Sequence, residues 1–530
     1  MVVESVGTVE SDEDRFLAQR RKGAKKTFRN AVALCAFARE IFNAMAEVRI
    51  RRLETKYRLP HSARVERRRL DELRTQVVDR AFSMAIERMG LGDEAELCLR
   101  GLETRVSLSL HSTNQSLVAH WSAVMADEIV RALSNASSVR AVVYHSRRQA
   151  LMDFAISISR GDLRRAWAWR QMGLWQSRSG TNESQAMFEL VHSLCSEPAM
   201  IVPALRVLAE TGSLPHMAER LTEEQWAALA FAVLSEIGAG YLLRELSAPP
   251  SARAVREARQ IINRSLLLRT IASSHWLSEA SDEVRRAIAA LVIAEVEPAL
   301  LKMATAPAVI KIIVDSCAQA SIYEDNWSTP DSEHSAIPKS VAPAVVQPDH
   351  QPSDTNDDLN PVDLRQRILT RWGGLLFLCG VLEDLNIPDF ILDHPLLSRR
   401  PFSWVLHQLA LNLVAIAPDD PAALVFAGLP IKAKPPSNEE APASEQEAEA
   451  LREIAAAIEE RLSFLLALEE ETVNVIDFVC HRRAELVADP GWIELRFSLD
   501  DVSTEIRRAG LDLDPGYVSY LGFVLKFAYE

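Results

Sequence analysis

Proline is concentrated in two stretches of this 530-residue chain, and both stretches limit how far one helix or one core can extend. Residues 326–361 are rich in Ser, Pro, Asp and Asn, with prolines at Pro330, Pro338, Pro343, Pro348, Pro352 and Pro361. The second stretch, 432–443, is rich in Pro and Glu. Because proline interrupts helices and large apolar side chains are few here, we predict a disordered linker at 326–361 and a linker at 432–443.

Helical periodicity dominates the rest of the chain. In the middle region Trp226, Leu229 and Val233 recur at helical spacing, and the pattern continues to about residue 320, which predicts an irregular helical array. Ser444 followed by Glu447 matches a capping box ahead of an apolar stripe, which predicts a helix. Residues 27–89 also follow a helical pattern, interrupted near residue 60.

A few short segments alternate between apolar and polar residues instead. They are 102–110, 139–144, 492–499 and 521–529, and their period of two predicts strands. A ribbon of two strands is marginal in water, so the last strands need partners. We therefore predict one small antiparallel sheet that joins strands near the N-terminal region to the C-terminus.

The predicted fold class is mainly α, a multidomain helical protein with that small sheet. Its length exceeds what one hydrophobic core usually organises. The predicted divisions are a basic helical and α+β N-terminal domain (1–180), an irregular helical array (181–325), a disordered linker (326–361), a small helical domain (362–431), a linker (432–443) and a helix plus C-terminal β-hairpin domain (444–530).

Composition limits the environment and the partners. The six cysteines are scattered singly, which favours a reducing compartment, and the acidic start lacks the features of a secretory signal. The longest apolar run, 372–382, falls short of the roughly 20 residues that cross a bilayer. A net charge of -14 argues against general nucleic-acid binding. We expect a cytoplasmic protein with no membrane and no nucleic-acid partner.

Catalytic signatures are missing from the sequence. It contains no phosphate-binding loop, dinucleotide fingerprint, nucleophile elbow or zinc-protease helix. Cys480 and His481 are adjacent but lack further ligands at matching spacing, and Asp512 with Asp514 fits a turn. We therefore predict no enzyme activity, and no catalytic, cofactor-binding or metal-binding residue or small-molecule substrate.

Two groups of residues are candidate interfaces. One is the basic cluster Arg64, Arg67, Arg68 and Arg69. On a helix, Arg67 would meet Asp71 and Arg68 would meet Glu72, which describes a solvated, salt-bridged face. The alternative is a docking surface for an acidic partner.

The second group is Trp167, Trp169, Arg170 and Trp175, in a chain that is only 6% aromatic. Trp167 and Trp175 lie about two helical turns apart and would share a face, with Trp169 pointing elsewhere. Core packing explains such a group most simply. A binding hot spot is the alternative.

Three stretches carry a resemblance: Gly161–Trp175, Arg371–Leu378, and the tail from Asp489–Trp492 through Arg507–Gly516. Together they resemble large tape-measure-like proteins encoded in bacterial extracellular contractile injection system clusters, which make phage-tail-like particles. The resemblance implies a structural or assembly role whose partners are tail or injection-particle proteins or an assembly ATPase. It implies no catalytic residue, and it places the protein in the cytoplasm or in the released particle.

A literal ruler would be one extended helix, which at 1.5 Å per residue would span about 800 Å. The prolines, linkers and strands of this sequence instead predict a folded protein–protein scaffold. The alternative is a cytoplasmic adaptor or chaperone that binds tail subunits or an associated ATPase without entering the particle.

Overall fold

The protein is described here by a computed structural model. It describes residues 2–6, 53–59, 63–90, 94–134, 141–176, 182–244, 250–272, 276–319, 363–436, 440–467 and 474–530. The linker predicted at 326–361 and the first part of the helix predicted from residue 27 lie outside these residues. Helices dominate the described residues, which confirms the mainly α fold class. The described residues form two compact units.

The first unit contains the described residues up to Ala150 together with Arg164–Leu174. Its strands are β1 (Val2–Val6), β2 (Glu54–Arg58), β3 (Glu96–Leu99), β4 (Glu103–Ser107) and β5 (Ala141–Tyr144). Its helices are α1 (Glu66–Met89), α2 (Asn114–Ser134), the first residues of α3 (Arg147–Ser159), and α4 (Ala166–Gln171). The strands form a three-stranded sheet in the order β2-β1-β4 and a separate pair, β3 with β5, all antiparallel.

Helices α1 and α2 provide the core of the first unit. Leu70, Leu73 and Val77 recur at helical spacing on α1 and are buried together with Trp121 and Met125 of α2. Val106 and Leu108 from the β4 region join the same core. Burial of this apolar stripe stabilises the unit by about 25 cal/mol for each Å² removed from water.

The second unit contains Leu151–Leu163 and the described residues of Trp175–Pro343 and Asp363–Glu530. After the rest of α3, its helices up to residue 319 are α5 (Glu183–Ser196), α6 (Ile201–Glu210), α7 (Leu214–Ala218), α8 (Glu223–Glu236), α9 (Ala252–Arg264), α10 (Leu266–Ala272), α11 (Trp276–Glu279), α12 (Asp282–Val296) and α13 (Ala306–Gln319). This array matches the helical pattern predicted for the middle region. α12 is buried along most of its length and contacts α8 and α13.

The remaining helices of the second unit are α14 (Leu378–Asp384), α15 (Ile387–Asp393), α16 (Phe402–Leu413), α17 (Pro421–Phe426), α18 (Glu445–Leu466), α19 (Val475–Cys480) and α20 (Thr504–Ala509). The strands are β6 (Gln366–Thr370), β7 (Ala484–Asp489), β8 (Trp492–Phe497), β9 (Gly516–Val518) and β10 (Phe523–Tyr529). They form one sheet in the order β6-β7-β8-β10-β9, in which only the β8–β10 pair is parallel. Phe377, Phe497 and Phe527 pack together beneath it.

Several local predictions are confirmed. β4, β5, β8 and β10 lie within the segments predicted as strands, and Val106 and Leu108 are buried as the alternation required. α18 begins at the predicted capping box, with Ser444 and Glu447 each bonded to the other's backbone N–H. Sequence patterns that depend on residues within one helical turn or one strand therefore predicted the local structure correctly.

The predicted single sheet joining the two ends of the chain is wrong. In the described residues, β4 pairs with β1 and β5 pairs with β3, whereas β8 and β10 pair with each other and with β7 and β9. The C-terminal strands find partners nearby because the Asp489–Gly491 turn folds β7 back on β8. Residues 54–58 form β2 instead of part of the helix predicted there, and β1, β3, β6, β7 and β9 were not predicted.

Candidate functional site

The first turn of α1 exposes most of the predicted basic cluster. Val65 precedes the helix without a side-chain cap, and its side chain is 86% exposed. Arg64 is also exposed, and the side chains of Arg67 and Arg68 are 71% and 88% exposed. We call Arg64, Val65, Arg67 and Arg68 the α1 arginine face. With Asp71 and Glu72 they line an open depression of about 690 Å³.

The predicted ion pairs on this face are present and exposed to solvent. Arg68 Nε lies 3.1 Å from Glu72 Oε1, and Arg67 Nε lies 4.0 Å from Asp71 Oδ2. Asp71 is shared, since the Tyr57 hydroxyl donates to it at 2.8 Å. Burial and then this hydrogen bond raise the pKa of Tyr57 above its usual value. Exposed pairs of this kind contribute about 0–1 kcal/mol, so the two arginines do little to hold the fold.

Arg69 differs from the rest of the predicted cluster. Its guanidinium donates to Asn114 Oδ1 at 2.6 Å, to the Leu110 carbonyl at 3.1 Å and to the Ser112 carbonyl at 2.6 Å. It also pairs with Glu66 at 3.1 Å. Arg69 therefore joins the start of α1 to the loop that precedes α2. It stabilises the fold, although the sequence analysis placed it with the exposed arginines of the cluster.

The electrostatics of α1 also disfavour the exposed arginines. A helix N-terminus carries a partial positive charge, and cations there destabilise the helix by a few tenths of a kcal/mol. Glu66 is the acidic residue of the first turn, and Arg67 and Arg68 follow it directly. Helix stability therefore does not explain why two exposed arginines lie at this end of α1.

The predicted aromatic group lies mostly in the interior. Trp169 and Trp175 are buried, and Trp167 and Arg170 are partly buried. The prediction that Trp167 and Trp175 share one helix face is wrong, because α4 ends at Gln171. The burial of Trp169 and Trp175 fits core packing, which leaves Trp167 and Arg170 as the partly accessible members of the group.

Close packing of the backbone explains the two glycines in the stretch Arg371–Leu378. A Cβ at Gly374 would lie 2.0 Å from the Val479 carbonyl oxygen, and a Cβ at Gly373 would lie 2.5 Å from the Ala484 Cβ. The ring of Trp372 lies 4.9 Å from the ring of His481. Glycine is needed at these positions because no side chain fits between the two segments.

The tail stretch is also explained by packing. Gly491 has a φ of +70° in the turn before β8, and a Cβ there would lie 2.4 Å from the Ala199 carbonyl oxygen. Asp512 accepts a hydrogen bond from the Tyr529 hydroxyl at 2.8 Å and pairs with Arg507 at 2.9 Å. Asp514 accepts from the Phe527 N–H at 2.7 Å. Both aspartates therefore fix the loop against β10.

Buried ion pairs hold other parts of the second unit. Arg400 bonds both oxygens of Glu447, at 2.8 and 3.1 Å, and lies 4.5 Å above the Trp404 ring. These bonds, with the capping interactions of Ser444, hold the pKa of Glu447 at about 2. Arg365 likewise bonds both oxygens of Asp489, at 3.0 and 2.6 Å, and both side chains are almost fully buried.

The buried titratable groups have structural partners. The Glu297 carboxylate accepts from the Phe402 N–H at the start of α16, and burial raises its pKa to about 7. His407 Nε2 bonds the Pro418 carbonyl at 2.7 Å, and burial lowers its pKa. Burial also raises the pKa of the Cys98 and Cys379 thiols to about 12. Thiols with such pKa values are poor nucleophiles.

Comparison with known proteins adds no further information. No family model, no curated protein and no solved structure matches the chain. Within the described ranges, no three His, Cys, Asp or Glu side chains converge as a metal site requires, and no described helix is both long and apolar enough to cross a bilayer. The α1 arginine face therefore remains the strongest candidate site on the described surface.

Proposed function

We propose that this protein is a folded scaffold in the assembly of a contractile injection particle, and that the α1 arginine face docks on an acidic surface of another particle subunit. The exposure of Arg67 and Arg68, whose own ion pairs are exposed to solvent, is the observation that supports the docking surface. The particle context rests on the resemblance of three stretches to tape-measure-like proteins.

Charge complementarity supports an acidic partner. The face presents three guanidinium groups around the exposed Val65, and arginine is the side chain best suited to bind carboxylates in pairs. A partner carboxylate would replace Asp71 or Glu72, whose pairs with the arginines are exposed and weak. The partner that fits is an acidic surface with one apolar side chain that covers Val65.

The fold supports a scaffold over a ruler. Many helices of the second unit are short, and α12 is buried by its neighbours instead of extending along an axis. A helix that measures length would add about 1.5 Å for each residue. A buried array cannot lengthen or shorten in that way without losing its core.

Particles assembled with internal deletions test this role. We expect deletions within 223–319 to lower the yield of particles without changing the length of those that form, because the deletions remove part of a folded core. The control is a full-length chain carrying Arg206→Glu, an exposed change on α6. Electron micrographs in which length falls in proportion to the deletion would overturn the scaffold role.

The abundance of the chain tests its place in the particle. Quantitative mass spectrometry of purified particles is expected to find the chain in a fixed ratio to the tail subunits. Recovery from the cell lysate alone, with tail subunits or an ATPase bound, would overturn incorporation and favour an adaptor that stays outside the particle. The purified chain could instead self-associate in the absence of any particle. If changes on the α1 arginine face abolished that self-association, the docking partner that we propose would be overturned.

A further inference from the structure

Strand β6 forms one edge of the five-stranded sheet in the second unit. It pairs with β7 in register from Gln366↔Ala488 to Thr370↔Ala484, and within the described residues it pairs with no other strand. One side of β6 therefore presents backbone N–H and C=O groups that no described strand satisfies, which makes this side a template for a further strand.

The ladders of the neighbouring strands fix the direction of these backbone groups. On the β10 side of β8, the Phe497 carbonyl accepts a hydrogen bond from the Glu530 N–H at 2.9 Å. Successive residues of a strand point their N–H and C=O groups to opposite sides, so those of Arg496 point to β7. Arg496 is the register partner of Glu485, and these two residues therefore form a hydrogen-bonded pair between β8 and β7.

The same alternation continues across β7 into β6. Because Glu485 bonds β8, its neighbour Leu486 bonds β6, where its register partner is Ile368. The backbone groups of Ile368 are therefore used in the ladder with β7. Those of Arg367 and Leu369, on either side of it, point away from β7 to the free edge. An incoming strand can bond both residues without breaking any hydrogen bond of the sheet.

The side chains at this edge are exposed as well. Leu369 is 71% exposed, and it is the only large apolar side chain of the described five-stranded sheet that is exposed. Arg367, on the same face of β6, is exposed, and so is Arg371 just beyond the strand. Neither arginine forms an ion pair with a described residue. Glu485 lies opposite Leu369 on β7 and interacts with Arg496. The edge thus presents one apolar side chain between two unpaired guanidinium groups.

We propose that β6 is a docking edge for an extended segment of a partner protein, which adds an antiparallel strand and places an apolar residue opposite Leu369 between two carboxylates. Addition of a strand to an exposed edge is a recurrent mode of peptide recognition, in which backbone bonds give affinity and alternate side chains give specificity. Antiparallel pairing is the more stable of the two directions. This goes beyond the α1 arginine face, because it is a second site with its own ligand.

Charge complementarity defines the sequence that the edge recognises. Side chains of the incoming strand that face Arg367 and Leu369 are two residues apart, because alternate residues share a face. Arginine is the side chain best suited to bind carboxylates, so acidic residues belong two positions before and two positions after the apolar one. The ligand is therefore a strand with the pattern acid-x-apolar-x-acid.

Charged side chains can also protect an edge strand from pairing with other chains. Protection alone does not explain Leu369, because an exposed apolar side chain favours pairing at an edge. The two arginines and Leu369 together fit an edge that admits one class of strand and repels cationic ones.

Peptide titration of the full-length protein tests the site. The probe is a fluorescent peptide of sequence STETVTETS, and binding is followed by fluorescence anisotropy at low salt. We expect saturable binding that weakens as salt is added. Replacement of both glutamates by lysine should weaken binding about tenfold or more, because like charges then meet the arginines. Equal binding of the two peptides, or no binding of the acidic one, would overturn the proposal.

Backbone methylation separates strand addition from simple charge attraction. N-methylation of the central valine removes an N–H that bonds the edge, and it should weaken binding about tenfold or more. N-methylation of the two flanking threonines is the matched control, because their N–H groups point away from β6. Equal affinities of the two methylated peptides, or a larger loss for the control, would overturn the antiparallel strand.

A proline at the edge makes the matching change in the protein. Leu369→Pro removes the N–H that points to the free edge and keeps the ladder with β7, so the sheet should stay folded. We expect this variant to melt like the wild type and to lose binding of the acidic peptide. Arg367→Glu leaves the backbone unchanged and should weaken binding about tenfold, which keeps the test decisive if the proline lowers the melting temperature.

The α1 arginine face provides the control for location. Arg67→Glu with Arg68→Glu removes the other exposed arginines that an acidic peptide could bind. We expect this double variant to bind the peptide as tightly as the wild type. Loss of binding in the double variant, or wild-type affinity in both Leu369→Pro and Arg367→Glu, would overturn the docking edge.

Discussion

Arginine side chains lie in two contrasting environments in this protein. In the second unit, Arg400 and Arg365 each bond both oxygens of a buried carboxylate. On the α1 arginine face, Arg67 and Arg68 are largely exposed, and so are their pairs with Asp71 and Glu72. The first group holds helices and strands together, whereas the second contributes little to the fold. An arginine that contributes little to the stability of the fold is the better candidate for binding a partner.

Two glycines of the second unit show the same contrast between a packed and an open environment. The Val479 carbonyl leaves no room for a side chain at Gly374, whereas Gly380 on α14 has open space where a side chain would lie. We expect Gly374→Ala to prevent the second unit from folding stably, because its Cβ would overlap backbone. Gly380→Ala is the matched control and should stabilise the helix by up to about 1 kcal/mol. Thermal melts of the two variants make the measurement, and a Gly374→Ala chain that melts like the wild type would refute the packing role.

Truncation of Arg400 should have the next largest effect. Arg400→Ala leaves the buried carboxylate of Glu447 without its partner, and we expect a loss of about 3 kcal/mol in the free energy of unfolding. Arg452→Ala is the control, since Arg452 pairs with Glu449 on the exposed side of α18. Urea denaturation of both variants tests the contrast. Equal stabilities would show that the buried pair is no stronger than a surface pair.

Two carboxylates sharpen the comparison through their pH dependence. Arg400 lowers the pKa of Glu447 to about 2, below the value of about 4.5 in an unfolded chain, so its contribution to stability is present above pH 4.5 and is lost as the pH falls towards 2. Burial raises the pKa of Glu297 to about 7, and Arg264, 3.8 Å away, does not offset it. The stability linked to Glu297 is therefore present below pH 4.5 and is lost as the pH rises to 7.

Glutamine variants separate these two effects. Glu447→Gln should flatten the loss of stability below pH 4.5, and Glu297→Gln should flatten the change between pH 4.5 and 7. Denaturation midpoints measured across this range provide the test. A Glu297→Gln chain with the same slope as the wild type between pH 4.5 and 7 would show that Glu297 does not titrate there.

The smallest effect on stability is expected on the α1 arginine face. Arg67→Ala and Arg68→Ala should each change the free energy of unfolding by less than about 0.5 kcal/mol, because exposed pairs contribute little. Arg69→Ala, on the same turn, should cost more because Arg69 bonds two loop carbonyls. If Arg67→Ala or Arg68→Ala destabilised the protein as much as Arg69→Ala, these arginines would have to be counted as fold residues.

Local patterns in the sequence predicted what local forces determine. The capping box of Ser444 and Glu447 and the alternation around Val106 depend on neighbours within a few residues, and both are confirmed. The same holds for the ion pairs of Arg67 and Arg68, because each arginine lies four residues before its acidic partner on the same helix. Short-range geometry is therefore visible in the spacing of residue types.

Contacts between distant residues could not be predicted in this way. The wrong partners were assigned to β8 and β10 because a period of two identifies a strand without identifying its neighbour. The bond between Arg400 and Glu447 joins residues 47 positions apart, and Arg69 bonds a loop more than 40 positions away. No periodicity encodes such pairs, so the sequence could not separate Arg69 from its exposed neighbours.

Charge reversal on the α1 arginine face tests the central claim most directly. The measurement is the number of chains per purified particle for the double variant Arg67→Glu with Arg68→Glu, compared with the wild type and with Arg206→Glu. Arg206 is the matched control because it forms an exposed ion pair with Glu210, four residues later on another helix. We expect the double variant to fold normally and to be lost from particles, whereas the control is retained. Equal retention of all three chains would contradict the account.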